Sequence, residues 1–258
     1  MTLLELLPAV GSGSLVGFTL GLVGGGGSIL ATPLLLYVVG VANPHVAIGT
    51  SALAVSVNAF ANLASHAHKG HVRWRCAAVF AAVGTLGTIL GSSLGLVVDG
   101  RNLLFLFGLV MVAVGLLMLL PRAAPHGGPR PVDRRMCIVT AALALATGAA
   151  SGFFGIGGGF LIVPALIFAT GMPVINAVGS SLLAVGAFGL ATALNYASKG
   201  LVDWAVAAEF IAGGIVGGFL GMLLATRLAT HKTALNRIFA TLVLAVAAYV
   251  IARNLPGG

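Results

Sequence analysis

Long apolar segments separated by short polar turns run along most of this 258-residue chain. In the first half the apolar segments cover residues 9–23, 28–40, 45–65, 76–98 and 102–120. A helix needs about 20 apolar residues to cross a bilayer, so the segment 28–40 is too short to span by itself. The pattern therefore predicts an all-α polytopic membrane protein whose first two segments form a broken hairpin.

The second half of the chain repeats the first. The run Gly24-Gly25-Gly26-Gly27-Ser28, which leads to Pro33, returns 131 residues later as Gly155-Ile156-Gly157-Gly158-Gly159, which leads to Pro164. At an offset of 130, further matches pair Thr50-Ser51 with Ser180-Ser181, Lys69-Gly70 with Lys199-Gly200, Trp74 with Trp204, and Gly84, Gly87 and Gly91 with Gly214, Gly217 and Gly221. The last three pairs have the spacing that lets membrane helices approach closely. We predict one integral membrane domain over residues 1–258, with a first repeat at 9–120, a linker at 121–135 and a second repeat at 136–252.

The glycine runs predict interruptions of the membrane helices. Each glycine costs about 1 kcal/mol relative to alanine in a helix, and lipid cannot satisfy the exposed backbone amides. Such breaks are tolerated where the backbone is buried in protein or lines a wet cavity, which makes them candidate binding sites. A helix that restarts at Ser28 or Gly159 would offer free amide donors and partial positive charge to an anion. A rival start in the first repeat is Thr32-Pro33, which has a capping residue followed by proline.

A polar stripe follows the third segment of each repeat. Ser51, Asn58, Asn62 and Ser65 are spaced to lie on one helix face, and three of the four equivalent positions, Ser181, Thr192 and Asn195, are polar. We expect the two stripes to face each other or a cavity, with hydrogen bonding between helices as an equally weighted alternative. The candidate substrate-binding residues are Gly24, Gly25, Gly26, Gly27, Ser28, Ser51, Asn58, Asn62, Gly155, Gly157, Gly158, Gly159, Ser180, Ser181, Thr192 and Asn195.

Composition and charge agree with a membrane protein. Hydrophobic residues make up 59% of the chain and charged residues 7%, and the mean hydropathy is +1.12, which excludes a water-soluble domain. Counting ten segments from an outside N-terminus places ten of the thirteen Lys and Arg residues in the cytoplasm. This count predicts inverted repeats, a cytoplasmic linker, both termini outside, and a location in the bacterial inner membrane.

The remaining chemistry points away from catalysis. The apolar segments hold no cluster of Asp, Glu, His or Cys, and Glu209 is the only carboxylate placed within the hydrocarbon. His66, His68 and His71 lack an acidic or cysteine partner in their turn, so we expect no metal and no cofactor. The expected partners are a small anionic substrate and the lipid bilayer, without nucleic acid; association into a homo-oligomer stays open.

The chain resembles the TauE/SafE family of sulfite exporters in three duplicated motifs. These are the two glycine runs, the pair Gly49-Thr50-Ser51 and Gly179-Ser180-Ser181, and the two Lys-Gly-x-Val-x-Trp turns. The resemblance covers residues 9–250. It implies an alternating-access carrier for sulfite, organosulfonates or related sulfur oxyanions. From the residues alone we infer only a small, anionic solute held by helix ends and neutral polar groups, with an anion channel, a carrier of an unrelated solute and an intramembrane enzyme as alternatives.

Overall fold

A computed structural model describes residues 3–23, 25–119, 134–155, 159–227 and 232–255. In these ranges the α-helices are α1 (Leu3–Val23), α2 (Ala31–Leu34), α3 (Pro44–His68), α4 (Trp74–Gly95), α5 (Gly100–Leu119), α6 (Arg134–Phe154), α7 (Gly159–Thr170), α8 (Val174–Ala197), α9 (Trp204–Arg227) and α10 (Lys232–Asn254). A 3₁₀ helix at Gly25–Leu30 precedes α2, and a π-helix at Leu35–Val39 follows it. Most of the predicted linker lies outside the described residues.

Six of these helices are long and apolar enough to cross a membrane. They are α3, α4, α5 and α8, together with the stretches Met136–Phe154 of α6 and Trp204–Leu224 of α9. The predicted class, an all-α polytopic membrane protein, is confirmed.

The turns between helices follow from the sequence. Asn43 caps α3, because its side chain accepts a hydrogen bond from the His45 backbone N at 2.9 Å and Pro44 occupies the first helical position. The second segment of each repeat ends at a glycine in the left-handed conformation, Gly40 with φ +86° and Gly171 with φ +68°. The two repeats therefore stop their second segments by the same device.

Small residues bring α1 against α9 and, equivalently, α6 against α4. A methyl group at Gly87 or Gly91 would overlap the backbone of α6, and one at Gly217 or Gly221 would overlap the backbone of α1. The close helix approach predicted from the glycine spacing is confirmed, and it occurs twice, as the duplication requires.

The third helices of the two repeats, α3 and α8, pack antiparallel. Gly49 near the start of α3 lies against Leu201, just beyond the end of α8, and Gly179 near the start of α8 lies against His71, just beyond the end of α3. At their crossing, Ser56 Oγ donates a hydrogen bond to the Gly186 carbonyl oxygen at 2.7 Å. Ser56 and Gly186 are 130 residues apart, so the helices cross at equivalent positions.

Two equivalent hydrogen bonds fasten this pair. The Asp203 backbone N donates to Thr50 Oγ1 at 2.9 Å, and the Arg73 backbone N donates to Ser180 Oγ at 2.9 Å. Thr50 corresponds to Ser180 and Arg73 to Asp203 at the offset of 130. One interaction is thus built twice, and each copy ties the turn after one helix to the start of the other.

Candidate functional site

The first helix interruption is tighter than predicted. The chain forms a 3₁₀ helix at Gly25–Leu30, and the α-helix restarts at Ala31 rather than at Ser28. The rival start at Thr32 is also wrong, because Leu30 occupies the cap position without a side-chain hydrogen bond. Hydrogen bonds between residues three apart let the chain pass from α1 to α2 without a long open loop. Gly24 lies outside the described residues, and only the backbone of Gly25 and Gly26 is described.

Gly27 shows why part of this run must be glycine. A methyl group at Gly27 would overlap the Leu20 backbone N and lie 2.5 Å from Thr19 Oγ1 in α1. The chain therefore turns back directly onto α1. Ser28, the next residue, is fully buried.

The second interruption follows the prediction more closely, since α7 begins at Gly159. Gly155 has φ +67°, and a methyl group there would overlap the Ile48 side chain of α3. Both facts favour glycine over any other residue at position 155. Gly157 and Gly158 lie outside the described residues.

The two interruptions meet in the interior. The 3₁₀ helix at Gly25–Leu30 packs against α7, and its residues Ile29 and Leu30 are buried in the same core as Ile162 and Leu166 of α7. Segments that are 131 residues apart in sequence thus form one buried contact.

Ser51 joins this region to α3. Thr32 Oγ1 and Ser51 Oγ lie 2.8 Å apart within hydrogen-bond distance, and Ser51 Oγ also donates to the Ile48 carbonyl oxygen at 3.0 Å. Thr32 was considered in the sequence only as a rival helix cap, so its contact with Ser51 was not predicted. Ser181, the equivalent of Ser51, donates to the Val178 carbonyl oxygen in its own helix at 2.8 Å.

Asn58 and Asn62 lie together under α9. Asn58 is fully buried against Gly214, Asn62 is 5% exposed against Gly218, and Asn62 Nδ2 donates to the Asn58 carbonyl oxygen at 2.9 Å. Neither side-chain amide atom of Asn58 has a hydrogen-bond partner among the described residues. An unpaired buried amide costs about 1–3 kcal/mol. Asn58 therefore holds a donor and an acceptor that the fold itself does not use.

The equivalent positions on α8 are different in character. Phe188 is fully buried and stacks on Phe80 of α4 with ring centroids 6.4 Å apart. The Thr192 hydroxyl is buried and has no hydrogen-bond partner in the described part of the chain. Asn195 Nδ2 donates to Ser92 Oγ at 2.8 Å and to Ser93 Oγ at 3.2 Å on α4. Asn195 therefore matches the alternative expectation for the polar stripes, in which their side chains form hydrogen bonds between helices.

The polar stripes were expected to face each other or a cavity. Asn58 and Asn62 lie against Gly214 and Gly218 of α9 instead of the other stripe, whereas Asn195 lines a surface cavity. At the crossing of α3 and α8, the residues of α3 that touch Gly186 or Gly189 of α8 are Ala52, Ser56 and Phe60. Spacing by four residues puts these three on one face and leaves Asn58 and Asn62 on the far side of α3, toward α9. Ser56 is a polar contact that sequence reasoning missed, and only its 130-residue offset from Gly186 could have indicated it.

Two cavities open at the surface of the described structure. One, of about 770 Å³, is lined by residues 42–45 and 96–101. The other, of about 540 Å³, lies between α3, α4 and α8, and Asn195 lines it beside apolar side chains that include Phe60 and Leu194. Neither of these two cavities is lined by the glycine segments or by Asn58.

The fold and site define a polytopic all-α membrane protein with a duplicated architecture and interrupted helices. The family model of the sulfite exporter TauE/SafE matches residues 9–250, and the chain belongs to this family. It is 68% identical over 255 residues to a probable membrane transporter protein of Xylella fastidiosa, which covers 98% of each chain. It is also 26% identical over 239 residues to the probable membrane transporter protein YunE of Bacillus subtilis, which covers 84% of this chain and 88% of that protein. No solved structure gives a significant match.

Proposed function

We propose that this protein is a secondary transporter that moves a small anion, sulfite or a related sulfur oxyanion or organosulfonate, across the bacterial inner membrane by alternating access. The family membership and the names of the relatives support transport. The observation that carries the proposal is the buried contact between the two interrupted segments. Asn58 and Thr192 add buried polar atoms that have no hydrogen-bond partner in the described part of the chain. Interrupted helices that meet at the interface of two repeats are a recurring plan of substrate sites in secondary transporters.

The proposed topology is a pair of inverted repeats, residues 9–120 and 136–252, within one membrane domain. The antiparallel packing of the equivalent helices α3 and α8 supports inversion, because two equivalent spanning helices that run in opposite directions must enter the membrane from opposite sides. The positive-inside count supports a cytoplasmic linker and outside termini.

Recognition of an anion in this site rests on neutral groups. The candidate residues supply backbone amides at the interruptions, the hydroxyls of Ser28, Ser51 and Thr192, and the Asn58 carboxamide. Hydrogen-bond donors at helix ends can stabilise an anion without a buried cation. Sulfite and bisulfite exchange a proton near neutrality, so the substrate can itself carry the coupled proton. The proposed transporter has no enzymatic role.

Counterflow in proteoliposomes tests the proposal. Vesicles preloaded with unlabelled sulfite should accumulate labelled sulfite with saturable kinetics, and sulfate, thiosulfate and short organosulfonates supplied outside rank the substrates by competition. A carrier of an unrelated solute gives no sulfite exchange. A channel gives a flux that does not saturate, and it produces no counterflow. An absence of sulfite exchange or a channel-like flux would each contradict the proposal.

A further inference from the structure

The turns before α4 and before α9 are equivalent in the duplicated fold but carry different charges. In the first turn, Arg73 and Arg75 flank Trp74. In the second, Asp203 precedes Trp204. Trp74 is 55% exposed and Trp204 is 65% exposed, which is typical of tryptophans at the boundary between lipid and water. The two turns therefore present opposite charges to the membrane boundary.

The start of α9 is capped by a carboxylate. Asp203 Oδ1 accepts hydrogen bonds from the backbone N of Ala205 and from that of Val206, each at 3.1 Å. The first amides of a helix have no partner within the helix, and the helix dipole favours negative charge beside them. In the second repeat the chain itself supplies this anion.

The start of α4 lacks such a group. Arg73 occupies its cap position without a side-chain hydrogen bond, so the amides of Arg75 and Cys76, the equivalents of the two that Asp203 caps, receive no side-chain cap. The Arg73 backbone N donates to Ser180 Oγ at 2.9 Å, which holds the turn against α8. The fold thus fixes two amide donors where an external anion can take the position of the missing carboxylate.

Basic side chains surround this uncapped helix start. Lys69, Arg73 and Arg75 are all exposed. Guanidinium groups bind phosphate oxygens through charge-assisted hydrogen bonds, and clusters of cations beside a membrane helix attract anionic lipids. Helix N-termini bind phosphate groups for the same electrostatic reason. The chemistry of the turn therefore fits a phosphate group.

The neighbouring helix adds positive charge at the same end of the molecule. Gly87 of α4 lies against Leu145 of α6, and Gly95 lies against Phe153. The two helices therefore run parallel and begin at the same end. The first residue of α6 is Arg134, and a second arginine follows it. This end of the α4–α6 pair is basic in both helices.

The surface beyond Arg75 favours a lipid over a free phosphate ion. Val79, Leu86 and Leu90 follow Arg75 along one face of α4, and they are 49%, 62% and 64% exposed. Because α4 is long and apolar enough to span a membrane, acyl chains cover this face. A phospholipid can place its phosphate beside Trp74 and its chains along the same face.

We propose that the turn at residues 69–75 and the start of α4 form a binding site for the phosphate group of an anionic phospholipid. The amides and guanidinium groups hold the phosphate in the position that the Asp203 carboxylate occupies at α9. The turn before α9 supplies its own carboxylate and does not select this lipid. The inference depends on the membrane fold and not on the transported solute, so the counterflow experiment leaves it unchanged.

Quenching of tryptophan fluorescence by brominated lipids tests the site, because the chain has only two tryptophans. Trp204→Phe leaves Trp74 as the reporter of the proposed site, and Trp74→Phe leaves Trp204 as the reporter of the control turn. Each protein is reconstituted in phosphatidylcholine vesicles that contain increasing fractions of brominated phosphatidylglycerol or of brominated phosphatidylcholine. Bromine quenches only at short range, so the two curves give the relative association of the anionic lipid at each reporter.

We expect phosphatidylglycerol to associate several-fold more strongly than phosphatidylcholine at Trp74, and equally at Trp204. Arg73→Asp introduces the carboxylate that the second repeat has and should abolish the preference at Trp74. Equal association of the two lipids at Trp74, the same preference at both reporters, or a preference that survives Arg73→Asp would overturn the proposal. If Arg73→Asp does not elute as the parent protein does in size-exclusion chromatography, Arg75→Gln decides: an unchanged preference overturns the proposal, and a reduced one supports it.

Inorganic phosphate separates a lipid site from a site for a soluble anion. At fixed ionic strength, replacing chloride by phosphate should leave the quenching of Trp74 by brominated phosphatidylglycerol unchanged, because the acyl chains keep the lipid at the turn. Relief of the quenching by phosphate would show that the turn binds the free ion, which would overturn the assignment to a lipid.

Discussion

The α3–α9 interface and the α8–α4 interface are built alike but hold different side chains. At the first, Asn58 lies against Gly214 of α9; at the second, Phe188 occupies the equivalent position against Gly84 of α4. Phe188 fills its space and stacks on Phe80, whereas Asn58 buries an amide whose polar atoms find no partner among the described residues. The α8–α4 interface, which holds Phe188 at this position, shows that packing between these helices does not require an amide. The Asn58 amide therefore remains the proposed contribution of α3 to the substrate site.

The substitution Asn58→Leu should produce the largest effect. Transport should be lost, because the amide available to the substrate is gone, while the free energy of unfolding should stay equal or rise, since an unpaired buried amide costs about 1–3 kcal/mol. Sulfite counterflow and thermal unfolding in detergent measure the two quantities. Phe188→Leu is the matched control and should lower stability by about 1 kcal/mol through lost packing while it keeps transport. Normal counterflow in Asn58→Leu would remove Asn58 from the site.

A methyl group at the helix contact should have the next largest effect. Gly217→Ala would overlap the Ser14 carbonyl oxygen of α1, which is backbone and cannot rotate away, so we expect a loss of about 1–3 kcal/mol in the free energy of unfolding. Gly11→Ala, on the same α1 helix with nothing within 4 Å, is the control and should be neutral or stabilising by up to about 1 kcal/mol. Equal unfolding temperatures for the two variants would contradict the close contact of α1 and α9.

Loss of the hydroxyl that joins α2 to α3 should have the smallest effect. Ser51→Ala removes the partner of the buried Thr32 hydroxyl, which costs about 1 kcal/mol and should slow counterflow several-fold because the first interruption loses its tie to α3. Ser181→Ala removes a bond within its own helix and should change the rate less. A larger loss in Ser181→Ala than in Ser51→Ala would contradict a role for the contact between Thr32 and Ser51 in transport.

The sequence predicts the repeats, the helices and the close contacts at glycine. Spacing along a helix determines which residues share a face, and the duplication determines which residues are equivalent. Gly87 and Gly159 both have the structural positions that the pattern predicts. The pattern could not decide which neighbour each face would meet. The Asn58 and Asn62 face turns toward α9 because the face with Ser56 takes the crossing with α8. The start of α2 was missed for a different reason, since hydrogen-bond geometry separates a 3₁₀ turn from an α-helix and residue identity does not.

Opposite insertion of the two repeats is the central claim, and side-specific labelling tests it most directly. His68 and Ser198 are equivalent, exposed residues at the ends of α3 and α8. In the background without Cys76 and Cys137, an impermeant maleimide applied to intact cells should label Ser198→Cys at once and His68→Cys only after the membrane is permeabilised. Labelling of both positions from the same side would contradict the account.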